Sequence, residues 1–242
     1  MFTVKKITLE TISLLTVINF FVGIAHAQSL GLRKVNTTGT TGATRGECLA
    51  VIPLLPITEV SSTKSLQPFL WVYIIPPEDK DAVVVLSHTD PDDITIDSKP
   101  ERVTANKPSF IRFSLPISNQ ESPKNQLKAN QEYALKIKCL GSGSAPTVAI
   151  KNEADNLNLS NLSFEQRMFE FAKLNLWAEL VDSLFDKRFI CSNRSKGAAL
   201  FANLVKNELS VEEVFRKSIG SIEIEKMMIK DFDEFHKSRC KK

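Results

Sequence analysis

Apolar and polar positions divide the chain into stretches of different period. From Cys48 onward, short runs rich in β-branched and aromatic residues alternate with Pro, Asp and Asn punctuation. That pattern predicts strands over 48–55, 69–75, 82–88, 94–96, 110–115, 133–140 and 147–150. The clearest is YALKIKC at 133–139. Tyr133, Leu135, Ile137 and Cys139 share one face, and Lys136 and Lys138 the other, so one face is core and one is wet. Seven short strands at this density predict an antiparallel sandwich.

Beyond residue 160 the period becomes helical. Ser163 with Gln166 three positions on forms a capping box, opening a helix with Phe164, Met168 and Phe171 on one side. Asn175 ends it, because Asn tolerates the left-handed conformation found at helix C-termini. A second helix over 176–187 buries Trp177, Leu180, Val181 and Leu184, and a third over 195–206 buries Leu200, Phe201, Leu204 and Val205. Ser210 with Glu213 opens a short helix to 219. Ser221 caps a last one, with Ile222, Met228, Ile229, Phe232 and Phe235 as its apolar set. These stripes read as packing surfaces.

Leu127 lies six residues before Tyr133, a spacing that resembles the corner of immunoglobulin-like and fibronectin-like domains, where the tyrosine hydroxyl ties back to the preceding turn. Trp71, on the 69–75 strand, is expected as a core aromatic of such a sandwich. The expected fold is therefore α+β: an antiparallel immunoglobulin-like β-sandwich followed by a small C-terminal helical unit.

The N-terminal stretch has a different character. Lys5 and Lys6 precede an apolar segment at 11–24, and Ala25-His26-Ala27 forms a small-x-small cleavage signal before Gln28. The apolar run is shorter than the ~20 residues a spanning helix needs. This predicts a signal peptide cleaved between Ala27 and Gln28, no stable membrane span afterwards, and a periplasmic or extracellular location. The Thr/Gly-rich stretch 36–46 cannot bury enough apolar surface to offset its ordering entropy. The expected order is signal peptide at 1–27, flexible linker at 28–46, β-sandwich domain at 47–152 and helical domain at 160–242.

Charge narrows the list of partners. The 242 residues carry 31 basic and 28 acidic side chains, a net charge of +3, with the basic ones scattered. Nucleic-acid binding draws on a concentrated basic face, so it is set aside.

Four cysteines, Cys48, Cys139, Cys191 and Cys240, follow the predicted cleavage point, and an even count in an oxidising compartment favours disulfides. Three connectivities exist; pairing within each domain, Cys48 with Cys139 and Cys191 with Cys240, is the simplest. A zinc site fails on spacing, since no Cys-x-x-Cys occurs and only His88 and His236 follow the predicted cleavage point.

No residue constellation amounts to an active site. The chain has no Gly-x-Ser-x-Gly elbow, no His-Glu-x-x-His and no phosphate-cradling glycine loop. His88 lies near Asp90, Asp92 and Asp93, but Asp-Pro-Asp-Asp between strands is turn chemistry before it is a metal loop. His236, among Asp231, Asp233 and Glu234, reads as part of a solvated helix face. No catalytic, cofactor-binding or metal residues are assigned. Sequons at Asn36, Asn158, Asn161 and Asn193 matter only in a eukaryotic secretory route.

The order of several segments resembles a known family. Thr44-Arg45-Gly46-Glu47-Cys48-Leu49 is followed by Pro68-Phe69-Leu70-Trp71-Val72-Tyr73, by the 110–115 strand ending at Pro116, and by Leu127, Tyr133 and Cys139. The segment from Phe171 through Trp177 to Leu180 closes the series. Together these resemble a cyanobacterial envelope family known only as domain of unknown function number 928, over roughly residues 44–219. In that family a glycine usually precedes the helical tryptophan, where this chain has Asn175. The stretch from Ser221 on, Cys240 included, looks like an addition, which leaves the Cys191–Cys240 pairing less secure than Cys48–Cys139. The resemblance implies a bacterial envelope setting and brings no activity with it. The expected function is that of a non-catalytic exported envelope protein that binds another protein or a peptide. The alternative is a carbohydrate-binding or glycan-hydrolysing module with an aromatic platform at Trp71 and Tyr73.

Overall fold

Strand β3, Phe69–Ile75, is the hinge of the architecture, because both of its faces are buried. The computed structural model describes residues 48–56, 60–78, 81–89, 101–115, 127–139, 147–153, 159, 161–209 and 221–240. All of them fall within one contact unit, Lys34–Lys242. The predicted signal peptide with its Ala27/Gln28 junction, the linker, the 94–96 strand and the helix at 210–219 lie outside the described residues.

Two sheets form the β region. In the first, β3 lies between β1, Ala50–Pro53, and β6, Ser109–Ser114, antiparallel to both. In the second the order is β2 (Val60–Thr63), β8 (Thr147–Asn152), β7 (Glu132–Cys139), β4 (Ala82–Thr89) and β5 (Glu101–Ala105). The arrangement is sandwich-like. Cys48, two residues before β1, stands at disulfide distance from Cys139, at the end of β7 in the other sheet, with Cα atoms 6.1 Å apart.

The expected all-antiparallel sheet is corrected at one edge, where β2 runs parallel to β8, pairing Val60 with Ala149 and Thr63 with Asn152. A parallel pair needs a long crossover, and here the chain between the two strands builds most of both sheets. β2 and β5 were not expected from the pattern. β2 reads Val-Ser-Ser-Thr, and its polar side chains hide a strand that is nonetheless mostly buried. β7 shows the expected alternation, with Tyr133, Leu135, Ile137 and Cys139 buried and Lys136 and Lys138 exposed. The Tyr133 hydroxyl accepts the Lys128 N–H at 2.9 Å, closing the corner that the Leu127–Tyr133 spacing predicts.

Five helices follow among the described residues: α1, Phe164–Lys173; α2, Trp177–Phe185; α3, Lys187–Ile190; α4, Arg194–Asn207; and α5, Ser221–Arg239. The capping box at Ser163 and Gln166 is present in full. The expected second helix is shorter than 176–187, because Asp186 adopts extended backbone and caps α3 by accepting the Arg188 N–H. Asn175 adopts φ 58°, the left-handed conformation a β-carbon makes unfavourable. It also clamps the helices to the sheet, since its side chain donates to the Val60 carbonyl and its own carbonyl accepts the Ser62 N–H. At Gly197 an added β-carbon would lie 1.9 Å from Ile190 Cδ1, so glycine lets α4 approach α3 closely.

A single hydrophobic cluster runs through both regions. α2 packs on β2 and β3, and α5 packs on α4. By alternation Leu70, Val72 and Ile74 point to the sandwich interior, while Trp71 and Tyr73 point to the helices. Trp71 is a core aromatic as expected, but it packs between sheet and helices: its ring stacks on Phe185 at 4.0 Å between centroids.

Candidate functional site

The outward face of β3 and β6 is an aromatic floor. Phe69, Trp71 and Tyr73 lie on it beside Phe110 and Arg112, whose Cα partners are Tyr73 and Trp71. Its polar tips are answered by carboxylates from the helices. The Trp71 indole donates to Asp182 at 2.9 Å, and Arg112 grips the same carboxylate through Nε and Nη2 at 3.0 and 3.1 Å while its guanidinium lies over Phe69. The Tyr73 hydroxyl donates to Asp231 of α5 at 2.5 Å. Burial, then that hydrogen bond and the Asp231 charge, hold the phenol proton well above the usual tyrosine range. Phe185, Phe201, Phe232 and Phe235 complete the layer, Phe201 stacking on Phe232 at 4.0 Å. Trp71 and Tyr73, the platform invoked for a glycan ligand, are both buried beneath these helices.

His236 corrects a second expectation. It is not on a solvated face: it is 1% exposed, caged by Phe185, Phe232 and Phe235 at 4.4–5.9 Å between ring centroids. Neither ring nitrogen has a hydrogen-bond partner among the described residues. Burial, with Arg239 and Arg194 adding repulsion, pushes its pKa down to about 4. The charged neighbours in sequence misled the reading. The helical period gives the better signal, because Met228, Phe232 and His236 recur every four residues and all three are buried.

A cavity of about 320 Å³ opens at the other side of the helix–sheet junction, lined by Lys64, Ser65, Leu159, Arg167, Phe171, Leu176 and Glu179. The turn after β2 supplies Lys64 and Ser65, α1 supplies Arg167 and Phe171, and the start of α2 supplies Glu179. Glu179 organises this wall. Its Oε1 accepts from the Thr63 hydroxyl at 2.5 Å, the Lys64 N–H at 2.8 Å and the Ser65 N–H at 3.2 Å. Its Oε2 is buried without a partner among the described residues, as is Arg167 Nε. The Arg167 guanidinium lies over Phe189 and donates from Nη2 to the Leu162 carbonyl. Lys64 pairs with Glu153 at 3.2 Å, and Glu153 also accepts from Ser62. Burial pushes the Glu153 carboxyl up, but the hydrogen bonds from Ser62 and Lys64 outweigh it and leave it below the usual range. The site therefore joins an apolar floor to a lysine paired with Glu153, an arginine held by a backbone carbonyl and a partly committed carboxylate.

None of these cavity residues was singled out as a site from sequence except as helix-stripe positions. Cys191 stands at disulfide distance from Cys240, Cα atoms 5.4 Å apart, which staples the end of α5 to the turn after α3. The Asp90, Asp92 and Asp93 turn and the His88 side chain lie outside the described residues, as do Asn36 and Asn158. Among the described residues no group of three His, Cys, Asp or Glu is placed to hold a metal ion, and no helix is long and apolar enough to cross a membrane.

The fold and site define an α+β protein in which a helical layer is laid on a sandwich-like pair of sheets. Residues 37–219 match the family described as Domain of Unknown Function (DUF928), and the chain belongs to that family. The match ends before α5. A comparison with curated proteins gives no match.

Proposed function

We propose that this is a non-catalytic, exported envelope protein that binds a protein or peptide segment at the cavity between the turn after β2 and helices α1 and α2. The observation that carries this reading is the cavity's composition. Phe171 and Leu159 offer an apolar seat, while the Arg167 guanidinium, bonded to the neutral Leu162 carbonyl, offers positive charge beside it. Such a combination of an apolar pocket and a few convergent polar groups suits an apolar side chain next to a carboxylate. Both cysteine pairs fit an oxidising compartment, which supports export, as does the N-terminal pattern ending at Ala27 and Gln28.

The test is photo-crosslinking in cells of the native host from a reactive amino acid placed at Ser65, compared with one placed at exposed Lys138 on β7. One stoichiometric protein adduct from Ser65, absent from Lys138 and lost in Arg167→Ala, supports the reading. Equal labelling from both positions, or adducts with glycan alone, would sink it. N-terminal sequencing of the mature protein checks the export half, with Gln28 as the expected first residue.

A further inference from the structure

We infer that α5 is a proton-sensitive latch: protonation of His236 loosens this helix from the aromatic face of β3 and β6 while the sheets stay folded. The geometry leads to this assignment. An imidazole whose nitrogens have no hydrogen-bond partner among the described residues sits inside a cage of three phenylalanine rings, and there burial and two arginines outweigh the little that would compensate a positive charge.

The surrounding charges make the cage less tolerant still. On α5 itself Arg239 repels a protonated ring and Asp233 attracts it. From α4, Arg194 repels, and from α2 only the Leu184 carbonyl attracts. The carboxylates of the surrounding helices are committed elsewhere. Asp233 bonds Arg194 and Lys237, Asp182 of α2 bonds Trp71 and Arg112, and Asp186 before α3 bonds Arg188. From β3, Tyr73 is committed to Asp231. A proton arriving at His236 therefore finds the Leu184 carbonyl and no free carboxylate among these groups, and burial with the two arginines outweighs that one acceptor.

The helix is placed so that loosening it is local. It is joined to the rest by the cysteine staple at Cys240 and by residues 210–220, and it lies outside the family match, so the matched region ends without it. Opening would expose Tyr73, Phe110 and Phe201, and the staple would hold the helix close enough to return. The aromatic face would thus become available at low pH and covered again at neutral pH.

The experiment is hydrogen exchange by mass spectrometry on the full chain with its disulfides intact, at pH 7 and pH 5, corrected for intrinsic exchange rates. With an unfolded-state pKa of 6.5 and a folded one of about 4, opening of 221–239 should rise about 20-fold between the two pH values. Peptides from β3 and β7 should keep their protection. His236→Leu, which suits the apolar cage, should abolish the rise, and His236→Gln should abolish it even at lower overall stability. A rise of equal size in both variants would overturn the proposal. So would constant protection of 221–239 in the unmodified protein, or simultaneous loss of protection in the sheets.

Discussion

The two faces of β3 are both buried, in different ways. The inner face, Leu70, Val72 and Ile74, is wholly aliphatic and belongs to the hydrophobic cluster. The outer face, Trp71 and Tyr73, buries larger rings whose polar tips need partners, and it finds them in Asp182 and Asp231 on the helices. An aliphatic face specifies little beyond burial. An aromatic face with two donors and two matching carboxylates fixes where a helix can dock, because a shifted helix would strand buried polar groups.

The largest way to break this comparison is to remove the ring that most of the outer face touches. Phe185→Ala is expected to cost about 3–5 kcal/mol, the usual range for a buried aromatic truncated to alanine. Phe185 stacks on Trp71 and meets Phe110, Phe201, Phe232 and Phe235, so little around it can collapse into the gap. Leu70→Ala on the inner face is expected at about 2–5 kcal/mol. Urea denaturation gives both values, and hydrogen exchange separates them. The Phe185 change should loosen the helices first, the Leu70 change both sheets at once.

Next in size is the pH effect. The unfolded His236 takes up a proton near pH 6.5, and the folded one resists until about pH 4. The unfolded state therefore binds more protons in that window. Stability is full above pH 6.5 and falls as pH drops toward 4, by about 3 kcal/mol at most. Thermal denaturation across this range should show the loss, and His236→Leu should remove most of it. Glu153, Glu165, Asp186 and Asp233, all held below the usual carboxylate range, lose their smaller contributions at lower pH still.

Tyr73→Phe tests one polar tip alone. It keeps the ring and leaves Asp231 without its donor, at an expected cost of about 1–2 kcal/mol. The smallest effect belongs to the surface. Lys196 pairs with Glu165 between two exposed side chains, and Lys196→Ala should change stability by less than about 1 kcal/mol. A larger loss there would mean that the helical layer leans on surface pairing more than on the aromatic floor.

Much of this could be read in the residues, and the exceptions have physical reasons. FLWVYII at 69–75 lacks the alternation seen at 133–139 because a strand buried on both faces needs no polar positions. That missing alternation was the available sign that something covers the second face. The capping box at Ser163, the left-handed Asn175 and the tyrosine corner were legible because each is a local motif. β2 was missed because Val-Ser-Ser-Thr gains its burial from tertiary contacts, its Ser62 and Thr63 hydroxyls bonding Glu153 and Glu179 far along the chain. The cavity was invisible for the same reason. Its walls come from positions near 64, 167 and 179, and no periodicity links residues a hundred apart.

Sheets and helices share one core through the outer face of β3. Urea unfolding at pH 7, followed at once by tryptophan fluorescence and by far-ultraviolet circular dichroism at 222 nm, tests it most directly. Trp71 reports on the face, Trp177 on the start of α2, and ellipticity on the whole helical layer. A shared core should give a single coincident transition by both probes. An earlier helical transition, with the Trp71 environment of Trp177→Phe protein unchanged through it, would contradict the shared core and leave the helices as an independent unit.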